Sequence, residues 1–333
     1  MNRGMTTASF GDEAITRAAE ILRRGGLVAF PTETVYGLGA RADSSAAVRR
    51  IYEAKGRPST NPSIVHVASA EAAFALAREV PEAARALARR FWPGPLTLVL
   101  PVRVGAVASE VLAGGDTIAL RVPAHPAARA LLEAVALPIA APSANRSTSI
   151  SPTTAAHVER SLGERVELIL DAGPTGYGIE STIVDASAAP LVLLRHGSIS
   201  LEAIAGLAAV VDAGARIDDE RRPARAPGGQ LRHYAPLAEL ELVDERLLAQ
   251  AVERLRACSL RVGSLARVGS PAPGGSLHHE ALPADPEGYA RALYAALHRL
   301  DQLGLDRIVV AELPEGAAWR ALRDKLTRAA APR

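Results

Sequence analysis

Between residues 31 and 66 the chain runs through PTETVYGLG and then KGRPSTNPSIVH, which sets Lys55, Arg57, Asn61 and His66 between two apolar runs. An ammonium, a guanidinium, an amide and an imidazole at this spacing form a donor set suited to phosphate and carboxylate oxygens. Of the 38 basic residues only Lys55 and Lys325 are lysines, so Lys55 stands out in an arginine-rich chain. A compact ammonium on a flexible stem suits a moving phosphate oxygen, whereas Arg57 offers a planar bidentate fork. The plainer alternative is a solvated basic loop followed by a strand histidine.

Further polar clusters fall at expected strand ends and turns, where open α/β sheets bind ligands. Thr32, Thr34 and Tyr36 lie in the first motif with Gly37 and Gly39, which permit close backbone approach. Read as structure alone, that motif is a turn with a packed tyrosine. In TIALRVP, strand alternation puts Thr117 and Arg121 on one face with Ala119 between them. An arginine on an otherwise apolar strand needs an anion, either a structural carboxylate or a bound substrate. Ala141, Ser143 and Asn145 in APSAN, then Ser151 and Thr153, form a run of small polar residues before a helix start, suited to phosphate binding or to simple capping. Glu180 and Ser181, Arg195 with Gly197, and Arg232-His233-Tyr234 follow.

These residues require a sheet to carry them. Helical periodicity over Asp12 to Arg24, ended by Gly25-Gly26, feeds an apolar strand at 27–30. Helix 44–54, strand 63–67, two helices within 70–91, strands at 96–100, 117–122, 138–141, 166–170, 182–185 and 191–194, and helices at 126–136 and 153–162 imply a broad, twisted, mixed open sheet with helices. The charged stretch 212–225 and Ala226-Pro-Gly-Gly mark a linker. Beyond it, strands near 239–243, 260–264 and 307–311 alternate with helices near 245–257, 285–303 and 315–329, a small Rossmann-like parallel α/β unit. The expected division is 10–206, a linker or lid at 207–237, and 238–333.

At 333 residues two domains are the natural prior, and 48% hydrophobic with 4% aromatic residues describes an α/β protein with a core of small side chains. A net charge of +2 is too balanced for a nucleic-acid coat protein but leaves room for weak RNA binding. One cysteine, Cys258, provides neither a disulfide nor a thiolate metal cluster. No apolar run is long enough to span a bilayer and the N-terminus lacks a signal-peptide core, so the expected location is cytoplasmic.

The ordered set PTETVYGLG, KGRPSTNP with a following VH, FWPGPLTLVL, TIALRVP, APSAN, ESTIVD, LLRHG and HYAP closely resembles the YrdC/YwlC family of L-threonylcarbamoyladenylate synthases in its long, two-domain form. The resemblance implies a nucleotidyltransferase that condenses L-threonine, bicarbonate and ATP into threonylcarbamoyl-AMP and pyrophosphate. This product feeds N6-threonylcarbamoyladenosine formation at position 37 of tRNAs through a downstream threonylcarbamoyl transferase complex. It implies that Thr34, His66, Arg121, Ala141 and Ser181 hold L-threonine. Arg57, Asn61, Thr117, Ser143, Ser151, Arg195 and Tyr234 would hold ATP. Lys55 and Arg57 would act on the phosphates, with Mg²⁺ carried by ATP and no protein metal ligands. One departure is Pro227-Gly-Gly-Gln-Leu-Arg232 where many long members carry a methionine-lysine-tyrosine run, so a linker lysine is absent.

Two rival readings differ in what they need. A double-stranded RNA or ribosome-binding module without catalysis would need a basic concave sheet but not the small-hydroxyl clusters. A hydrogenase-maturation carbamoyl-adenylate enzyme would need cysteine-rich zinc fingers, which one cysteine excludes.

Overall fold

The computed structural model describes residues 6–58, 60–213, 231–270, 273–274 and 278–332. They group into two units. The first comprises residues up to Ser147, Pro152–Gly176 and 180–213; the second comprises Thr148–Ser151, Tyr177–Ile179 and 231–332.

The first unit runs β1 (Thr6–Ser9), α1 (Asp12–Arg23), β2 (Val28–Pro31), β3 (Tyr36–Arg41), α2 (Ser45–Lys55), β4 (Val65–His66), α3 (Ala70–Phe74), α4 (Glu82–Phe91), β5 (Leu96–Pro101), α5 (Ser109–Leu112), β6 (Thr117–Arg121), α6 (Pro126–Val135), β7 (Ile139–Ala140), α7 (Ala155–Leu162), β8 (Leu168–Asp171), β9 (Thr182–Asp185), β10 (Leu191–Arg195), α8 (Leu201–Ala205) and β11 (Val210–Asp212). Its strands form one mixed sheet in the order β1-β8-β2-β3-β7-β4-β6-β5-β9-β10-β11. Strand alternation sorts side chains to two faces. Leu27 and Ala29 join a large core with residues of α2, α4 and α7, whereas Val28 and Phe30 pack with α1 and α6. Just before β4 and on β6, β5 and β9, a separate small cluster of Ile64, Ala119, Val99 and Ile183 contains no helix residue. His66, Thr97, Arg121 and Ser181 each lie two residues from one of these positions, on the same face.

Local chemistry explains the elements that matter most. Ser44 caps α2 by accepting from Ala47 N, and Gly56, with φ +58°, ends it, so Lys55 is the last helical residue. His125 caps α6, whose first residue is Pro126. The strand β2 pairs antiparallel with β3, Pro31 opposite Tyr36, leaving residues 32–35 as the hairpin tip.

The second unit contains β12 (Glu239–Val243), α9 (Leu248–Ala257), β13 (Val262–Arg267), β14 (His278–Leu282), α10 (Pro286–Asp301), β15 (Arg307–Ala311) and α11 (Arg320–Ala329). Its four strands are all parallel, in the order β12-β15-β13-β14.

The expected classes, a mixed open sheet and a small parallel α/β unit, are those observed. Four strands were not anticipated, each for a physical reason. β3 contains two glycines, which weaken any strand signal. β1 and β11 have only four and three residues and sit at the sheet edges. β14 is an edge strand of sequence HHEAL, too polar to register as one. The large sheet thus reaches outside the expected bounds of 10–206, and part of the expected linker, 214–230, lies outside the described residues.

A Cβ on Gly39 would lie 2.8 Å from Phe30 Cε1 and 3.0 Å from Ile139 Cγ2, both in fully buried side chains. Gly39→Ala is therefore expected to lower stability by about 1–3 kcal/mol in denaturant titration, as overpacking does elsewhere.

Candidate active site

The threonine-rich hairpin tip is rigidly built. Thr32 Oγ1 accepts from the backbone N–H groups of Thr34 (3.2 Å) and Val35 (3.3 Å) and lies 2.8 Å from Thr34 Oγ1. Tyr36, one of the first cluster, is a core residue: its hydroxyl donates to Gly173 O at 2.7 Å, and its ring is fully buried.

Next to this tip lies a buried ion pair. Arg121 Nη2 donates to Glu33 Oε1 at 2.6 Å, and Glu33 Oε2 accepts from Ala124 N at 3.0 Å and His125 N at 3.4 Å. Burial raises the Glu33 pKa, but the Arg121 charge and the hydrogen bonds outweigh it and hold the carboxyl below its ordinary range. The anion that Arg121 needs is therefore present as a side chain, Glu33, which sequence reasoning passed over inside PTET.

His66 is the register partner of Arg121 in the parallel β4–β6 pair. Its ring meets Phe30 edge-on, with centroids 6.2 Å apart, and its Nδ1 is buried with no hydrogen-bond partner among the described residues. Burial, then the Arg121 charge, lowers its pKa to about 3, so the imidazole is neutral at physiological pH. Ala141 is held at this level by its N–H, which donates to Ile64 O at 2.9 Å.

Across the strand ladder, Thr97 on β5 is fully buried, and its Oγ1 lies 2.8 Å from Ser181 Oγ. Arg195 donates to Ser181 twice, from Nη2 to Oγ and from Nε to the carbonyl, each at 3.0 Å. Gly197 makes room for this arrangement: a Cβ there would sit 2.4 Å from Thr182 N and 2.5 Å from Ser181 C. Thr97 is a second residue missed from sequence, because a lone threonine in a strand carries no distinguishing signal.

Lys55 is 3% exposed, and its Nζ donates to the carbonyls of Ser143 and Asn145, both at 2.5 Å. Burial, with the Arg57 charge second, pushes its pKa well below the usual lysine range. The ammonium is thus committed to the APSAN loop in this structure, where Ser143 also bridges Gly37 of β3. Arg57 Nη2 likewise donates to the carbonyls of Asn61 (3.2 Å) and Pro62 (2.8 Å). Asn61 Oδ1 is buried with no partner among the described residues. Such a group is costly unless something binds it.

The sheet therefore brings Thr34, His66, Arg121, Ala141, Ser181 and Arg195 to neighbouring strands, and joins Lys55 to Ser143 and Arg57 to Asn61. Thr117 is at the other end of β6, about 13 Å from Arg121 at the usual rise per strand residue. Ser151 and Tyr234 fall in the second unit. There Ser151 O lies 3.2 Å from His298 Nε2. Tyr234, at φ +60°, stacks on Tyr294 with centroids 5.9 Å apart, and Lys325 Nζ lies 5.2 Å from its ring. No group of three or more His, Cys, Asp or Glu side chains able to hold a metal occurs among the described residues.

A histidine whose folded pKa lies below its unfolded value binds fewer protons when folded, so stability falls as the pH drops below about 6.5 and continues to fall towards about 3. The stability advantage of wild type over His66→Asn should therefore shrink between pH 7 and 4. The limit is about 1.4 kcal/mol per pH unit, read from urea titrations of both proteins.

Comparison with known proteins follows this geometry. A sequence-family model described as "Telomere recombination", covering Sua5, YciO and YrdC, matches residues 20–197. A second, described as "Threonylcarbamoyl-AMP synthase, C-terminal domain", matches residues 199–331. The chain is 40% identical over 330 residues to the threonylcarbamoyl-AMP synthase of Bacillus subtilis, covering 98% of this chain and 95% of that one. It is 42% identical over 329 residues to that of Pyrococcus abyssi, covering 94% and 92%. The crystal structure of P. abyssi Sua5 complexed with L-threonine superposes with a TM-score of 0.89 at 40% identity, covering 98% of this chain and 97% of that one. The chain belongs to the Sua5/YrdC family of threonylcarbamoyl-AMP synthases, nucleotidyltransferases, in the long form that carries the family's C-terminal domain.

Proposed function

We propose that this chain condenses L-threonine, bicarbonate and ATP into threonylcarbamoyl-AMP, releasing pyrophosphate and water. The observation that supports this reading best is the Glu33–Arg121 ion pair with His66 beside Arg121 on the adjoining strand, next to the Thr97–Ser181–Arg195 hydrogen-bond chain. Arg121 would take the threonine carboxylate, a charge-assisted contact suited to a guanidinium. Thr34, neutral His66, Ser181 and the Ala141 backbone would surround the rest of the amino acid. A neutral imidazole beside the substrate amine neither repels nor protonates it. The unprotonated amine adds to the bicarbonate carbon, expelling water and leaving a carbamate. A carbamate oxygen then bonds to the α-phosphorus as the bond to pyrophosphate breaks.

Arg57, Asn61, Thr117, Ser143, Ser151, Arg195 and Tyr234 are proposed for ATP, and Lys55 with Arg57 for the charge on its phosphates. Lys55 would act in part by setting the APSAN carbonyls, since its ammonium already binds them. Catalysis by this set is positioning and electrostatics, without a covalent nucleophile. The described residues offer no carboxylate cage, so Mg²⁺ would arrive on the phosphates. The product would pass to a threonylcarbamoyl transferase that modifies adenosine 37 of tRNA. No described helix is long and apolar enough to cross a membrane, and a cytoplasmic site of action fits that chemistry.

Pyrophosphate release by the purified full chain should require both L-threonine and bicarbonate; release that ignores either would overturn the proposal. Arg121→Ala should raise the threonine KM at least tenfold, the loss associated with a charged hydrogen bond. An unchanged KM would assign Arg121 to structure alone.

A further inference from the structure

The Glu33–Arg121 pair does more than neutralise a buried charge. Glu33 occupies the β2–β3 hairpin tip beside Thr34, and both of its carboxylate oxygens are engaged. Oε1 takes the Arg121 guanidinium, while Oε2 takes two backbone N–H groups immediately before α6. Three separate pieces of the first unit, namely the hairpin tip, the end of β6 and the turn into α6, are thereby fastened through one side chain. Glu33 is 8% exposed and Arg121 3%, so water does not compete strongly for these bonds.

The geometry on Arg121 is asymmetric. Its contacts are Nη2 to Glu33 and a long Nε bond to Gly94 O at 3.4 Å. A guanidinium has five N–H donors, and Nε with Nη2 define its side-on edge. Nη1 makes no hydrogen bond among the described residues and is left for a second carboxylate. Glu33 is held from behind by Ala124 and His125, so it can keep Nη2 while a ligand takes Nη1.

Resting on the threonine-binding role proposed for Arg121, we propose that Glu33 is a positioning residue that orients Arg121 to receive the α-carboxylate of the amino-acid substrate through Nη1. It does so by locking the guanidinium, and it ties that cation to Thr34 through the hairpin. The alternative in which Glu33 merely occupies the substrate's place predicts the opposite sign, because removing its charge would then ease threonine binding.

The test uses the full chain, with pyrophosphate release measured against L-threonine and ATP separately. Glu33→Gln can satisfy Arg121 or the two backbone N–H groups, but not both. The expected result is a threonine KM raised tenfold or more, an ATP KM within twofold of wild type, and kcat reduced less than threefold. Preference for L-threonine over L-threonine amide, which lacks the carboxylate, should narrow by a similar factor. Glu33→Asp keeps the charge with a shorter reach, should fall between the two, and carries the test if Glu33→Gln fails to fold. A lower threonine KM overturns the proposal in favour of competition. Equal rises in both KM values, or an unchanged threonine KM, overturn it in favour of a purely structural pair. Wild-type release that is independent of threonine would instead remove the reading on which the proposal stands.

Discussion

A guanidinium placed on the inner face of a sheet must be paired, and the arrangement around Arg121 follows from that constraint. An isolated buried charge is far too costly to keep. The partner, Glu33, comes from the hairpin joining β2 to β3, so the requirement for a counter-charge brings this tip to the end of β6. Burial depresses the pKa of its strand neighbour His66, the same cation lowers it further, and the histidine is neutral. One electrostatic demand thus sets a turn conformation and a strand-end contact, and reinforces a protonation state that burial already favours.

The small apolar cluster Ile64, Val99, Ala119 and Ile183 supplies the complementary half of the arrangement. Each member lies two residues along the chain from His66, Thr97, Arg121 or Ser181, so the period of two in the backbone sets the apolar floor and the polar rim on the same face. The hydroxyls of Thr97 and Ser181 bond to one another, and Arg195 fastens the second of them. Preorganisation of this kind is what an enzyme without a covalent nucleophile has to rely on.

Lysine usage follows the same logic. In an arginine-rich chain both lysines are buried, Lys55 at 3% exposure on two loop carbonyls and Lys325 at 1% beside the Tyr234 ring and Asp324. A compact ammonium can enter a small nest of carbonyls or approach a ring face where a guanidinium fork is too wide. The rarity of lysine in the sequence was therefore informative, although Lys55 itself grips a loop in this structure.

Much of the architecture was legible in the sequence because it depends on local patterns. The amphipathic spacing of α1, the Ser44 cap and Gly56 stop of α2, and the apolar alternation of β5 and β6 are decided within a few residues. The motifs that carry the family chemistry are also short and contiguous. Elements with weak local signal were not legible: β3 with its glycines, the edge strands β1 and β11, and the polar β14 owe their existence to neighbouring strands that supply hydrogen bonds. Pairings between distant residues were equally hidden. The sequence alone determined that Arg121 needed an anion, that Lys55 was unusual and that Thr34 and His66 belonged to a polar site. Only the tertiary structure decided that the anion is Glu33, that Thr97 backs Ser181 and that the Lys55 ammonium rests on Ser143 and Asn145. The physical reason is that a side chain's type sets which partner it requires, while the strand order sets which partner lies within reach.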